Sequence, residues 1–187
     1  GIEMSPTLLW EGGDPEGETV LYTVYLGSDG VLERIADNIT TTTVTVQKLQ
    51  PYTRYSWYVV ATDVGGMQTQ GDTWQFTTMD VVAPMVSIEA PEHQRLYVRN
   101  KSYLFPRTTV IGKITVEVTA EDADSGVERV DFYVDGELMA TDTEAPYQWW
   151  WNEDTILDTH EIRVVAVDRD GNAAESSLSV LVLNLFY

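Results

Sequence analysis

Tyr55-Ser-Trp-Tyr-Val-Val-Ala61-Thr-Asp63-Val-Gly-Gly66 and Glu161-Ile-Arg-Val-Val-Ala166-Val-Asp168-Arg-Asp-Gly171-Asn172 end in the same way: an alternating strand runs through a small alanine into an aspartate and then a glycine turn. Alternation of period two places every second side chain on one face of a sheet. A strand that closes on Asp and Gly is leaving the sheet through a tight turn. Two such endings about a hundred residues apart predict an all-β chain of two β-sandwich domains in tandem.

Composition supports that division. At 187 residues, the chain has room for two units of about 80 and about 105 residues, each large enough to bury its own core. The expected domains are 1–78 and 84–187, joined by a short linker at 79–83 that contains no Gly/Ser-rich run and permits little free rotation. Cysteine is absent, which excludes a disulfide framework, a thiolate metal site and a cysteine nucleophile. Six Trp and ten Tyr supply the aromatic mass that a sandwich without a disulfide needs.

The formal net charge is −19 and is carried by both halves: 10 acids against 3 bases in residues 1–78, and 20 against 8 in residues 79–187. A basic face for phosphate is lacking, so nucleic acid is excluded as an expected partner. The longest apolar runs, such as Val180-Leu-Val-Leu183, are strand-sized, so no membrane insertion is expected of this segment. The abrupt start at Gly1 and the stop at Asn184-Leu-Phe-Tyr187 read as the ends of a piece of something longer.

Turn chemistry every eight to twelve residues delimits the strands. In the first half they are expected at 6–10, 20–27, 31–37, 41–48, 55–63 and 72–78; in the second at 85–89, 114–121, 127–134, 137–141, 147–152, 160–168 and 174–183. Alternation then directs Leu8, Trp10, Tyr22, Val24, Leu26, Val44, Val46, Tyr55, Trp57, Val59 and Ala61 inward. The structural weight is assigned to Trp10, Tyr55, Trp57 and Trp74 in one core, and to Phe132, Tyr147, Trp149, Trp151 and Val164 in the other.

A Trp closing an early strand, Leu49-x-Pro51-x-Thr-x-Tyr55 with an x-Val-x-Ala tail, and a closing Trp74-x-Phe76-Thr-Thr78 resemble a fibronectin type III domain over residues 1–78. The resemblance implies a tyrosine corner, in which the Tyr55 phenol tethers the preceding turn, and a first strand that is short or partly missing here. The stretch from Glu121 to Gly136, Ala145-Pro-Tyr-x-Trp-x-Trp151, and His160 to Asn172 resemble Ig-like domains of archaeal and bacterial secreted and surface proteins. That likeness covers residues 84–187, and the front segment at 93–113 is most similar to the archaeal variety. The motifs are architectural and imply no catalytic residues.

Three features invite a functional reading. Asp122, Asp124, Asp168 and Asp170 fall in two loops that an Ig-type topology brings to one end, and four carboxylates there suit calcium, which takes six to eight oxygens. The same residues are also ordinary turn formers, and Asp168-Arg-Asp-Gly-Asn172 lacks the terminal Glu of an EF-hand loop. In Trp149-Trp150-Trp151, alternation sends Trp150 outward, where an indole suits a sugar ring, a protein contact, or packing beneath the front segment or the neighbouring domain. Between His93 and Val116 lie five bases, among them Arg99 and Lys101, and no acid. Such a stretch serves as a partner contact or as an edge guarded by cations.

Catalysis finds no footing: there is no Gly-x-Ser-x-Gly, His-Glu-x-x-His or phosphate loop, and the two histidines are His93 and His160. No cofactor is expected beyond the calcium candidate. Asn38-Ile-Thr40 and Asn100-Lys-Ser102 fit the N-glycosylation sequon. The expected role is a non-catalytic structural, spacing or adhesion segment of a secreted or cell-surface protein, monomeric in isolation and joined to other domains of its polypeptide. The alternatives are a module that binds calcium, glycans or surface proteins, and an accessory part of an extracellular hydrolase.

Overall fold

The computed structural model describes residues 1–152 and 157–183, all of them strand, turn or irregular, in two compact units, Gly1–Val81 and Val82–Tyr187. The terminal residues 184–187, read above as a cut end, lie outside the described residues.

The first unit holds β1 (Thr7–Leu9), β2 (Leu21–Ser28), β3 (Val31–Ile39), β4 (Thr43–Thr45), β5 (Arg54–Thr62), β6 (Gln68–Gln70) and β7 (Trp74–Thr77). β1 pairs with β4; the facing sheet runs β3-β2-β5, with β6 and β7 both along the far side of β5. In place of a full first strand there is a single parallel bridge between Ile2 and Thr78. Strict alternation in β2 buries Tyr22, Val24 and Leu26, and in β5 Tyr55, Trp57 and Val59; Leu8, Trp10, Val46 and Leu49 close the core from the other side. Trp10 stands edge-on to Tyr22 at 5.6 Å.

Asp29 and Gly30 turn β2 into β3, both with positive φ (52° and 80°), the backbone of a type I′ hairpin that matches strand twist. Gly27 is required there for space, since a Cβ would come within 1.8 Å of the Val31 carbonyl oxygen. The Tyr55 hydroxyl accepts the Gln50 N–H at 3.0 Å, forming the expected corner.

One core assignment is corrected. Trp74 is 40% exposed, its ring lying over Trp57 at 4.7 Å and shielding it from outside. Phe76, two residues on and on the same face, is half-buried and stacks on Tyr55 at 5.7 Å.

The second unit holds β8 (Met85–Ala90), β9 (Arg95–Val98), β10 (Lys101–Leu104), β11 (Thr109–Ile111), β12 (Ile114–Glu121), β13 (Val127–Val134), β14 (Glu137–Asp142), β15 (Tyr147–Trp151), β16 (Asp158–Asp168) and β17 (Ala173–Leu183). A three-stranded sheet, β15-β12-β8, faces a seven-stranded sheet, β10-β9-β11-β17-β16-β13-β14. The core between them is built on Phe132, Val130, Ile114, Val116, Ile162, Val164, Val180 and Val182, all fully or almost fully buried. Tyr147 and Trp151 are buried, and Trp149 is half-buried with its ring 6.0 Å from Phe132.

The front segment is a structured part of this sandwich. β9 and β10 form a hairpin, and β11 runs parallel to both β9 and β17, attaching the hairpin to the sheet. The tie is chemical as well: the buried Tyr97 hydroxyl accepts the Glu92 N–H at 2.9 Å, and Thr108 Oγ1 accepts the Gln94 N–H at 3.0 Å while donating to the Glu92 carbonyl at 3.2 Å. Burial raises the Tyr97 phenol above its ordinary pKa, against the opposing pull of that N–H. A second corner, again between a Tyr and the N–H five residues earlier, thus holds the front of the second unit.

Candidate functional site

The acid-rich turns follow β12 and β16. Asp122 Oδ1 accepts the backbone N–H of Gly126 at 2.6 Å and of Asp124 at 3.2 Å, with the Ser125 hydroxyl at 3.4 Å. Asp168 is fully buried. Its Oδ1 accepts the N–H of Asn172 (2.8 Å) and of Asp170 (2.9 Å), and its Oδ2 the Asn172 side-chain amide at 2.7 Å. Burial pushes the Asp168 carboxyl up, but the donors from Asn172, Asp170 and Gly171 together outweigh it and hold the pKa below the usual carboxylate value.

The fold brings two of the four predicted calcium candidates together: Asp122 and Asp168 place carboxylate oxygens within 4.8 Å of one another. Asp124 and Asp170 are not part of that grouping. Both Asp122 and Asp168 use oxygens to shape their own turns, the work that Asx residues do without a metal. A shallow groove of about 410 Å³ adjoins Asp122, lined by Met85, Ala120, Val127, Ala145 and Tyr147.

Trp150 projects outward, 56% exposed, from β15 opposite Thr115 of β12. The front segment therefore does not bury it. Among the described residues no second ring lies against it.

Arg99 lies at the tip of the β9–β10 hairpin, where Arg99 and Asn100 both take positive φ (48° and 65°). Asn100 also reaches back, its Oδ1 accepting the Thr115 N–H at 3.0 Å. The sequon asparagine at that position is thereby engaged in the fold, whereas Asn38 is exposed in β3. Lys101 follows on β10. Arg95 pairs with Glu92 at 3.3 Å, and Arg107 donates to Thr159 at 2.8 Å.

His160 is buried against the edge of Trp151, with Nδ1 2.7 Å from Asp135 Oδ2. Asp135 Oδ1 accepts the Glu161 N–H at 2.8 Å; that bond, helped by His160 and opposed by burial, lowers its pKa. The pair fastens the β13–β14 turn onto β16. Sequence reasoning missed it because the partners are 25 residues apart and neither belongs to a local motif.

A match to the fibronectin type III model spans residues 3–77, and a match to the bacterial Ig domain model spans residues 105–164. The chain is a fibronectin type III domain followed by a bacterial Ig domain. Both are families of non-catalytic modules. The β9–β10 hairpin precedes the residues matched in the bacterial Ig domain. No curated protein matches the chain. Among solved structures, it is similar to the fibronectin(III)-like modules of Clostridium thermocellum CbhA, at 23% identity, covering 100% of this chain and 90% of that one, with a TM-score of 0.47. It is also similar to the FN1-FN3 domains of chicken CNTN1, at 14% identity, covering 98% of this chain and 63% of that one, with a TM-score of 0.40.

Proposed function

We propose that this pair of modules is a non-catalytic structural segment of a secreted or cell-surface protein, with other domains of the same polypeptide as its first partners. The observation that carries the reading is how the polar groups of the bacterial Ig domain are spent. Asp168 and Asp122 satisfy their own turns, Asp131 takes Thr141 at 2.7 Å and Arg129 at 3.1 Å, and His160 meets Asp135. Carboxylates consumed in this way stabilise loops and are poorly placed to move protons. Fibronectin type III and bacterial Ig modules are also typical of secreted and surface proteins.

Calcium binding is the second reading, favoured by the approach of Asp122 to Asp168. The two readings separate in a melting scan. An extracellular-grade calcium site, with a dissociation constant of about 0.1 mM, would add about 2.7 kcal/mol at roughly 10 mM calcium, equivalent to more than about 10 °C for a domain of this size. The structural reading expects calcium and chelator scans to coincide within about 1 °C. A calcium-dependent rise that Asp122→Asn abolishes would place the binding reading first.

A further inference from the structure

The seven-stranded sheet of the bacterial Ig domain ends in β10 on one side and β14 on the other, and neither strand has a further neighbour in the sheet. The two edges carry opposite charge. β10 and its turn carry Arg99 and Lys101 and no acid; β14 carries Glu137 and Asp142, flanked by Asp135 and Glu144, and no base. Among the described residues, Arg99 and Lys101 on the basic side and Glu137 and Glu144 on the acidic side form no ion pair. Each edge also exposes large apolar side chains: Leu104 (86%) and Tyr103 on β10, Leu138 (55%) and Met139 on β14.

We propose that the β10 edge of one copy of this chain pairs with the β14 edge of a second copy, continuing the sheet from molecule to molecule. Charge on an edge strand ordinarily prevents sheet-to-sheet association. Here it does so selectively: two β10 edges repel, two β14 edges repel, and a β10 edge attracts a β14 edge. The contact is heterologous and does not close on a two-fold axis, so it propagates as a row. The overall charge of −19 opposes approach at long range, but that repulsion is screened beyond about 10 Å at 0.1 M salt. Paired strands lie only about 4.8 Å apart, so the local attraction of the edges acts inside that range. β10 has four residues, and a contact of that length lies below the roughly 1,200 Å² of stable complexes. The association is therefore weak, in the range of about 0.1–1 mM, which leaves the chain monomeric in dilute solution.

Sedimentation of the full chain at about 0.15 M salt tests this. The weight-average mass should rise continuously between about 0.01 and 1 mM. Arg99→Glu with Lys101→Glu makes both edges acidic, and Glu137→Lys with Glu144→Lys cancels the charge of the β14 edge against the remaining Asp135 and Asp142. Each double variant alone should associate at least about tenfold more weakly, and an equimolar mixture should recover the association. Thermal melts confirm folding, and the single Lys101→Glu, at an exposed side chain, carries the first arm if the double variant melts low. A wild-type mass that stays monomeric at about 1 mM, reversals that leave the association unchanged, or a mixture that fails to recover it would each overturn the proposal.

Discussion

Phe132→Ala lowers the stability of the bacterial Ig domain by about 3–5 kcal/mol, and the fibronectin type III transition keeps its midpoint. Phe132 has no solvent exposure, sits on β13 between β14 and β16, and packs toward Trp149 of the opposite sheet. Removing the ring loses its transfer free energy and leaves a cavity that two hydrogen-bonded sheets cannot collapse to fill. For a domain of about a hundred residues this is a fall of more than about 10 °C, visible by calorimetry as one displaced transition beside one unchanged. If both transitions moved together, the cores would not be separate.

Asp168→Ala is the second large effect, at about 3 kcal/mol, because it removes a fully buried carboxylate that accepts hydrogen bonds from the Asp170 N–H, the Asn172 N–H and the Asn172 side-chain amide. The pH dependence identifies the cause. The folded-state pKa of Asp168 is lowered, so its contribution is fully present above the unfolded value near 3.9 and is lost as pH falls through the folded value. Asp135, lowered chiefly by the Glu161 N–H, acts in the same direction. Denaturant titrations from pH 6 down toward pH 2 should show wild-type stability falling below about pH 4, with a shallower fall in Asp168→Asn, which keeps an amide oxygen for the turn but has no proton to gain. Equal acid slopes in the two proteins would remove Asp168 from the account.

Much of this architecture is legible in the residues because local and global preferences agree. The alternation of β2 and β5 names its own inward face, and the Asp-Gly pairs at 29–30 and 135–136 announce their hairpins. The Leu-x-Pro-x-x-x-Tyr segment specifies its corner. The front segment was illegible for the converse reason. Its hairpin turns on Arg99-Asn100, a pair without the glycine that marks such turns, and its strands are four residues long. What holds it is non-local: Thr108 and β17 capture it from 14 or more residues away. Alternation places Trp74 on the core-facing side with Phe76 and opposite Trp57, and its exposure comes instead from its place as the first residue of a four-residue strand, which alternation does not report. At the candidate site, sequence identified the acidic turns but not how many carboxylates converge. That number depends on loop geometry, which turns Asp122 toward Asp168 and leaves Asp124 and Asp170 outside the group.

The claim on which the account depends is that each half folds around a core of its own. Residues 1–81 and 82–187, produced separately and compared with the full chain by amide NMR, test it most directly. Two dispersed spectra, each with a cooperative unfolding transition of its own, are the predicted result. A collapsed spectrum from either half that becomes dispersed only when the other half is added would contradict it.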